Sequence, residues 1–119
     1  MKTQLKDSPC YKLSRCVVGE NVPIDNLRLE MNPESFYLFC YHHLEFAKFD
    51  SDKGRDTLML TFLSHQVRIA CHHLRELALA IQKRAVESII QMPGLHSETA
   101  RSQAGFVEAI EVQAVEGWN

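Results

Sequence analysis

The sequence predicts an α+β domain: an antiparallel, strongly bent sheet of about five strands with one long helix packed on one face. Alternating apolar residues over 57–63 predict a strand. The alternation changes phase at Ser64-His65, which requires either a bulge or a tight turn. The turn is favoured, and it makes 66–70 an antiparallel neighbour of 58–63. Apolar residues at helical spacing predict the helix over about 72–91, with Pro93-Gly94 as its stop signal.

Length and composition indicate one globular domain. The chain has 119 residues, of which 45% are hydrophobic and 24% are charged, and these values are typical of a folded domain. The net charge of −2 comes from interspersed acidic and basic residues. Such a surface has no general attraction for phosphate backbones or anionic lipid, so nucleic-acid binding would require a local patch.

The cysteines and the hydropathy pattern predict a cytoplasmic protein. The first 16 residues lack the apolar run of a secretory signal, and no window approaches the length of a membrane span. Four cysteines without close-set pairs predict free thiols in a reducing compartment. We expect Cys40 and Cys71 to act as small buried apolar residues.

The remaining segments complete the predicted sheet. Residues 1–10 are polar and are expected to be frayed. Strands are expected over 11–18 and around 27–31, and residues 36–49 read either as one bent strand or as two strands meeting at His42-His43. Residues 50–56 have hairpin-loop chemistry. Residues 93–104 form a polar connection, and 105–116 favour a strand over a helix.

The predicted helix carries one apolar stripe more than packing on a sheet requires. The first stripe supplies the core: Leu74, Leu77, Ala78, Ile81, Ala85 and Ile89. The second helical stripe consists of Leu79, Val86 and Ile90, with Arg75 and Gln82 beside it. An exposed apolar stripe usually marks an interface, so it predicts a homo-oligomer, with a dimer favoured. The alternative is that the C-terminal segment covers this stripe.

Two Cys-x-His triplets suggest a zinc site. Cys40 and His42 form one pair, and Cys71 and His73 form the other. Alternate residues of a strand point to one side, so two such pairs would supply four tetrahedral ligands. The spacing differs from that of structural zinc knuckles. The alternative is two core cysteines with histidines at turns and helix ends.

Two other function classes remain open from the sequence. A small enzyme would use a pocket at the strand-to-helix junction lined by His65, His72 and His73. A barrel-like nucleic-acid-binding domain would combine cations with stacking aromatics. Its candidates are Arg68, Arg75, Lys83 and Arg84 with Tyr37 or Tyr41.

The pattern as a whole favours a non-enzymatic, cytoplasmic binding or assembly module that self-associates through the second helical stripe. It predicts no membrane contact and does not identify a small-molecule ligand, and zinc is the one cofactor that its residues suggest.

Overall fold

The structure is a computed structural model that describes residues 10–92 and 106–115. The predictions of a frayed start and of a polar connection over 93–104 therefore lie outside the described residues, apart from Cys10. The elements in chain order are β1 (Tyr11–Leu13), β2 (Cys16–Val17), β3 (Glu20–Asn21), β4 (Asn26–Asn32), β5 (Ser35–Cys40), a 3-10 turn (Tyr41–His43), β6 (Leu44–Asp52), β7 (Arg55–Phe62), β8 (His65–His72), α1 (Arg75–Gln82), β9 (Val86–Ile90) and β10 (Phe106–Ala114).

The architecture is mostly β, and the predicted α+β arrangement is wrong. Strands make up 63% of the described residues. They form two four-stranded sheets and the small β2–β3 hairpin, instead of one bent sheet of about five strands. The helix has eight residues, whereas the sequence predicted about twenty over 72–91. Within the described ranges, no helix has the length and apolar character needed to cross a membrane.

The predicted long helix is divided between three elements. Its first residue, His72, still belongs to β8, and α1 ends at Gln82. Arg84 then adopts a left-handed backbone conformation with φ of 55°, which an α-helix cannot continue through. The residues that follow, Val86–Ile90, consequently form strand β9 instead of continuing the helix. The β-branched residues in that segment suit a strand better than a helix.

The first sheet is mixed in direction, with the order β1-β9-β4-β5. β9 lies between two partners: it pairs antiparallel with β1 and parallel with β4, where Leu29 is opposite Ile89. A parallel pair requires a crossover connection. Here the intervening chain includes β5, three strands of the second sheet (β6, β7 and β8) and α1.

The second sheet has the order β10-β8-β7-β6 and is antiparallel throughout. The predicted turn at the phase break is confirmed, because β7 and β8 form an antiparallel hairpin across Leu63-Ser64. The predicted hairpin loop before β7 is also confirmed, with Lys53 and Gly54 both at positive φ. The C-terminal segment forms a strand, β10, beside β8.

The aromatic segment over 36–49 consists of two strands in different sheets. β5 is an edge strand of the first sheet and β6 is an edge strand of the second, with the 3-10 turn at Tyr41–His43 between them. The Tyr41 backbone N–H donates to the Asp25 carbonyl over 2.8 Å, and the Leu63 N–H donates to the His43 carbonyl over 2.9 Å. These two bonds attach the turn to both sheets.

The inner faces of the two sheets meet in one core. In β7, buried and partly exposed residues alternate without interruption from Asp56 to Phe62, as expected for a strand with one buried face. The ring of Phe39 on β5 stacks on that of Phe62 on β7, with centroids 4.5 Å apart. Leu77, Ala80 and Ile81 of α1 are buried in the same core.

The start of α1 depends on a buried carboxylate. Asp56 of β7 is only 6% exposed, and its Oδ2 accepts the backbone N–H of Leu74 over 2.8 Å. Leu74 directly precedes α1, and His73 before it is at positive φ. Asp56 therefore holds the sharp bend between β8 and the helix, because backbone N–H groups at a helix start have no partner within the helix.

Replacing this carboxylate should destabilise the fold. Asp56→Ala leaves the buried Leu74 N–H without an acceptor, and we expect the free energy of unfolding to fall by about 2 kcal/mol. Urea denaturation followed by circular dichroism measures the change. Asp52→Ala is the matched control, because Asp52 is exposed at the end of β6, and we expect it to change stability by less than about 0.5 kcal/mol. Equal stability of Asp56→Ala and the wild type would contradict the assignment.

Candidate functional site

Among the described strands, β5 is an edge of the first sheet, and it exposes three consecutive apolar or aromatic side chains. Phe36 is 55% exposed, Tyr37 41% and Leu38 63%. We call these three residues the β5 surface. Single exposed apolar residues are ordinary on protein surfaces, whereas a contiguous group along an edge strand is typical of an interaction site.

The other three edges of the four-stranded sheets carry charges, and β5 does not. β1 is three residues long and contains Lys12. β10 carries Glu108 and Glu111, and β6 carries four charged residues as well as a register irregularity between Leu44 and Phe46. Short length, charges and bulges all discourage edge-to-edge pairing. The β5 segment, SFYLFC, has no charge and no proline.

Packing beneath β5 holds this edge in place. The Tyr37 ring lies 5.8 Å from the Phe39 ring, which is buried against Phe62. The ring of His65 lies 5.6 Å from Phe39 and 6.3 Å from Tyr37. His65 is itself hydrogen-bonded, with its Nδ1 2.7 Å from Ser64 Oγ. The exposed side chains therefore extend from a strand that is anchored in the core.

The outer face of β5 has one flanking ion pair. Arg28 of β4 lies 5.7 Å from the centroid of the Phe36 ring, which is within cation–π range. Its Nε is 3.4 Å from Glu30 Oε2. Arg28 and Glu30 lie directly opposite Leu38 and Phe36 in the β4–β5 register. The two charges thus lie on β4, the strand next to the edge, and are paired with each other.

A concave feature lies between α1 and β6, and we call it the α1–β6 groove. It has a volume of about 430 Å³. Most of its lining is apolar, and the polar side chains that reach it are Glu45, Gln82 and Arg84. The lining residues are Tyr41, Leu44, Glu45, Phe46, Ala47, Phe49, Leu58, Ala78, Leu79, Ile81, Gln82 and Arg84.

Arg84 is fixed at the groove by several hydrogen bonds. Its backbone N–H donates to the Ile81 carbonyl, and its carbonyl accepts the N–H of Ile24, both over 2.9 Å. Its Nε donates to the Ile24 carbonyl over 3.2 Å, and its Nη2 contacts Asp25 Oδ1 at 2.9 Å. The same residue that ends the helical segment therefore ties it to the start of β4.

The structure does not form the second helical stripe. Leu79 is exposed on α1, but Val86 is buried in β9 and Ile90 lies on that same strand. Arg75 and Gln82 are exposed on α1. The stripe required one continuous helix, and the helix ends before Val86. Self-association itself stays a prediction. The helical stripe of Leu79, Val86 and Ile90 cannot be its interface, because these residues do not share one helix.

The predicted histidine pocket is not assembled. His65 and His72 occupy opposite ends of the eight-residue strand β8, which places them about 23 Å apart along an extended chain. His73 lies beside His72, with ring centroids 6.4 Å apart. Nδ1 of His72 is 3.0 Å from the Gly54 carbonyl oxygen. His73 adopts φ of 53° in the bend before α1, a conformation that histidine accepts more readily than most residues.

The zinc prediction stays a prediction, because one of its four proposed ligands lies outside the described side chains. Cys40 and His42 lie at the β5–β6 corner, and His73 lies in the bend before α1. The side chain of Cys71 is outside the described part of the structure. Among the side chains that are described, no group of three or more histidines, cysteines or carboxylates could hold a metal ion.

The cations proposed for nucleic acid are dispersed. Arg68 lies on the outer face of the second sheet, 3.8 Å from Glu111, and Arg84 is paired with Asp25. Arg75 and Lys83 are exposed at opposite ends of α1. Of the two aromatics, Tyr41 is buried and Tyr37 belongs to the β5 surface.

Two buried titratable groups have structural roles. Burial raises the pKa of the Cys10 thiol, and the Val107 N–H donates to its sulfur over 3.2 Å. Cys40, at the end of β5, carries a free thiol. Burial also raises the pKa of Tyr41 well above its usual value, and the positive charge of Arg84 offsets this only in part. The Tyr41 hydroxyl donates to the Val86 carbonyl over 2.7 Å.

Comparisons with known proteins found no match to this chain. No protein-family model, no curated protein sequence and no solved structure matches the chain. Function must therefore be argued from the β5 surface and the α1–β6 groove. The sequence predicts that β5 is part of a strand, but it does not predict a function for that strand. The available signal was the absence of charge over 35–40, in contrast to the charged strand over 44–52.

The Tyr41 hydrogen bond should stabilise the protein at neutral pH. Tyr41→Phe removes the donor to the buried β9 carbonyl, and we expect a loss of about 1 kcal/mol in urea denaturation. Because the folded-state pKa is raised, the contribution is complete below the unfolded pKa of about 10 and is lost as the pH rises through the folded pKa. The difference between the two proteins should therefore narrow above pH 10. A difference that stays constant through pH 11 would contradict this.

Proposed function

We propose that this protein is a non-enzymatic binding module that self-associates as a dimer through the β5 surface. The observation that supports it most directly is an uncharged edge strand with three consecutive exposed apolar side chains, in two sheets whose other edges carry charges. Open strand edges pair readily with another strand, and natural proteins usually protect an edge that must remain unpaired.

A second copy of this chain fits the β5 surface because the segment is self-complementary. In an antiparallel pairing about a two-fold axis at Tyr37, Phe36 lies opposite the partner's Leu38, and Leu38 lies opposite the partner's Phe36. Tyr37 lies beside the partner's Tyr37 on the other face. Directly opposed aromatic and aliphatic side chains stabilise antiparallel strands. Such an interface uses the same patch on both subunits, as two-fold dimers do.

The charge distribution around β5 agrees with this partner. An uncharged strand that pairs with its own copy buries no unpaired charge, and burying one would be costly. Arg28 and Glu30 stand behind the edge and are already paired, so they can remain at the rim. The dimer joins two four-stranded sheets into one continuous sheet. An interface of six-residue strands is small, so we expect micromolar affinity.

A charge on the β5 surface should abolish dimer formation. Leu38→Lys introduces an ammonium group at a position that is 63% exposed, so the monomer should fold normally while edge pairing is disfavoured. Analytical ultracentrifugation from roughly 10 to 300 µM covers the expected micromolar range. The wild type should rise from 13.6 kDa toward twice that mass, and Leu38→Lys should remain a monomer with an unchanged circular dichroism spectrum.

Two further variants make this test specific. Val18→Lys is the matched control, because Val18 is 95% exposed in the turn between β2 and β3, and this variant should dimerise as the wild type does. Leu79→Lys tests the helix face that the sequence first suggested. If Leu79→Lys is monomeric while Leu38→Lys dimerises, the interface lies on α1 and the β5 assignment is wrong. A wild type that is monomeric throughout the range overturns self-association itself.

A further inference from the structure

We propose that the α1–β6 groove is a binding site for a small amphipathic amine, with one cationic head and an apolar body of about ten carbon atoms. The site is separate from the β5 surface, and nothing in the dimer proposal depends on it.

The first support is the size of the groove. Its volume of about 430 Å³ lies within the range of pockets that hold small organic ligands, roughly 300 to 1,000 Å³. The walls come from two regular elements, α1 and β6, while Leu58 and Ile81 at its inner side belong to the core. A groove built on such elements is largely preformed, so binding requires little ordering of the protein.

The second support is the composition of the lining. Leu44, Phe49, Leu58, Ala78, Leu79 and Ile81 present aliphatic and aromatic carbon to the groove. An apolar body in this position would be removed from water on several sides, and burial of apolar surface is the main favourable contribution to such binding. The lining therefore selects for a hydrocarbon or aryl body.

The third support is the charge that the groove leaves uncompensated. Arg84 is paired with Asp25 at 2.9 Å, so its positive charge is already balanced. Glu45 also lines the groove, and none of the salt bridges among the described residues involves it. A cationic head on the ligand would pair with this carboxylate, whereas an anionic head would be repelled by it.

A neighbouring aromatic ring also favours a cation. Phe46 lines the groove as well and is 58% exposed, so its ring face can contact an ammonium group. The Glu45 carboxylate and the Phe46 ring thus favour the same kind of head group.

The test compares three probes that differ only in the head group: 4-phenylbutylamine, 4-phenylbutanol and 4-phenylbutyrate. Amide chemical shifts of ¹⁵N-labelled full-length protein, recorded at pH 7 with each probe up to roughly 10 mM, give the affinities for ligands of this size. We expect the amine to shift amides of α1 and β6 and to bind about three- to fivefold more tightly than the alcohol, as for a solvent-accessible ion pair. The carboxylate should bind more weakly than the alcohol.

Three variants locate the site and its charge. Glu45→Gln should remove the preference for the amine while retaining binding of the alcohol, since the apolar lining is unchanged. Leu79→Lys should weaken amine binding, because it introduces an ammonium group into the groove. Asp52→Asn is the matched control: Asp52 is an exposed carboxylate of β6 that does not line the groove, and this variant should bind all three probes as the wild type does.

The outcomes separate the elements of the proposal. If no probe shifts the amides of α1 and β6, the groove is not a ligand site. If all three probes bind equally, or if Glu45→Gln keeps the amine preference, the assignment of a cationic ligand is wrong. Dimerisation measured on the same samples should be unchanged by Glu45→Gln, so failure of either proposal can be recognised independently of the other.

Discussion

The rest of the fold depends on the chain reversal at Lys83-Arg84, which places β9 inside the first sheet. β9 is the strand between β1 and β4, so that sheet cannot form without it. Arg84 adopts a left-handed conformation, which costs a non-glycine residue about 1–2 kcal/mol. Its bonds to Ile24 and Asp25 offset that cost and also fix the start of β4. One residue thus ends the helical segment, orients β9 and positions the neighbouring strand.

The reversal also determines which surfaces are exposed. Because β9 occupies the position beside β4, the only other neighbour of β4 is β5, and β5 becomes the outer strand of that sheet. Because α1 ends at Gln82, it covers only part of the inner side of β6 and leaves the groove open. Both candidate binding features therefore result from a short helix and an inserted strand, and Arg84 of the reversal also lines the groove.

The parts of the fold that could be predicted from sequence are those decided by neighbouring residues. The phase change at Ser64-His65 decides the β7–β8 hairpin, and the Lys53-Gly54 loop decides the β6–β7 hairpin. The helix end could not be predicted in this way, because residues 82–85 contain neither glycine nor proline. Val86 and Ile90 fit a helical stripe by spacing, and their β-branched side chains were the contrary signal. The parallel β4–β9 pair is a non-local contact that no local pattern encodes.

The same distinction explains why the histidines were misleading and the β5 surface was missed. A histidine in a sequence carries no information about what it converges with, and here β8 separates His65 from His72 along its whole length. An uncharged strand such as SFYLFC is equally compatible with the centre of a sheet and with its edge. Only the strand order makes it an edge, and only then does the absence of charge become unusual. The next strand in the sequence, β6, is also an edge strand, and its charges discourage pairing with another strand. β5 has no such charges, and this contrast is the strongest physical reason to propose β5 as the binding surface.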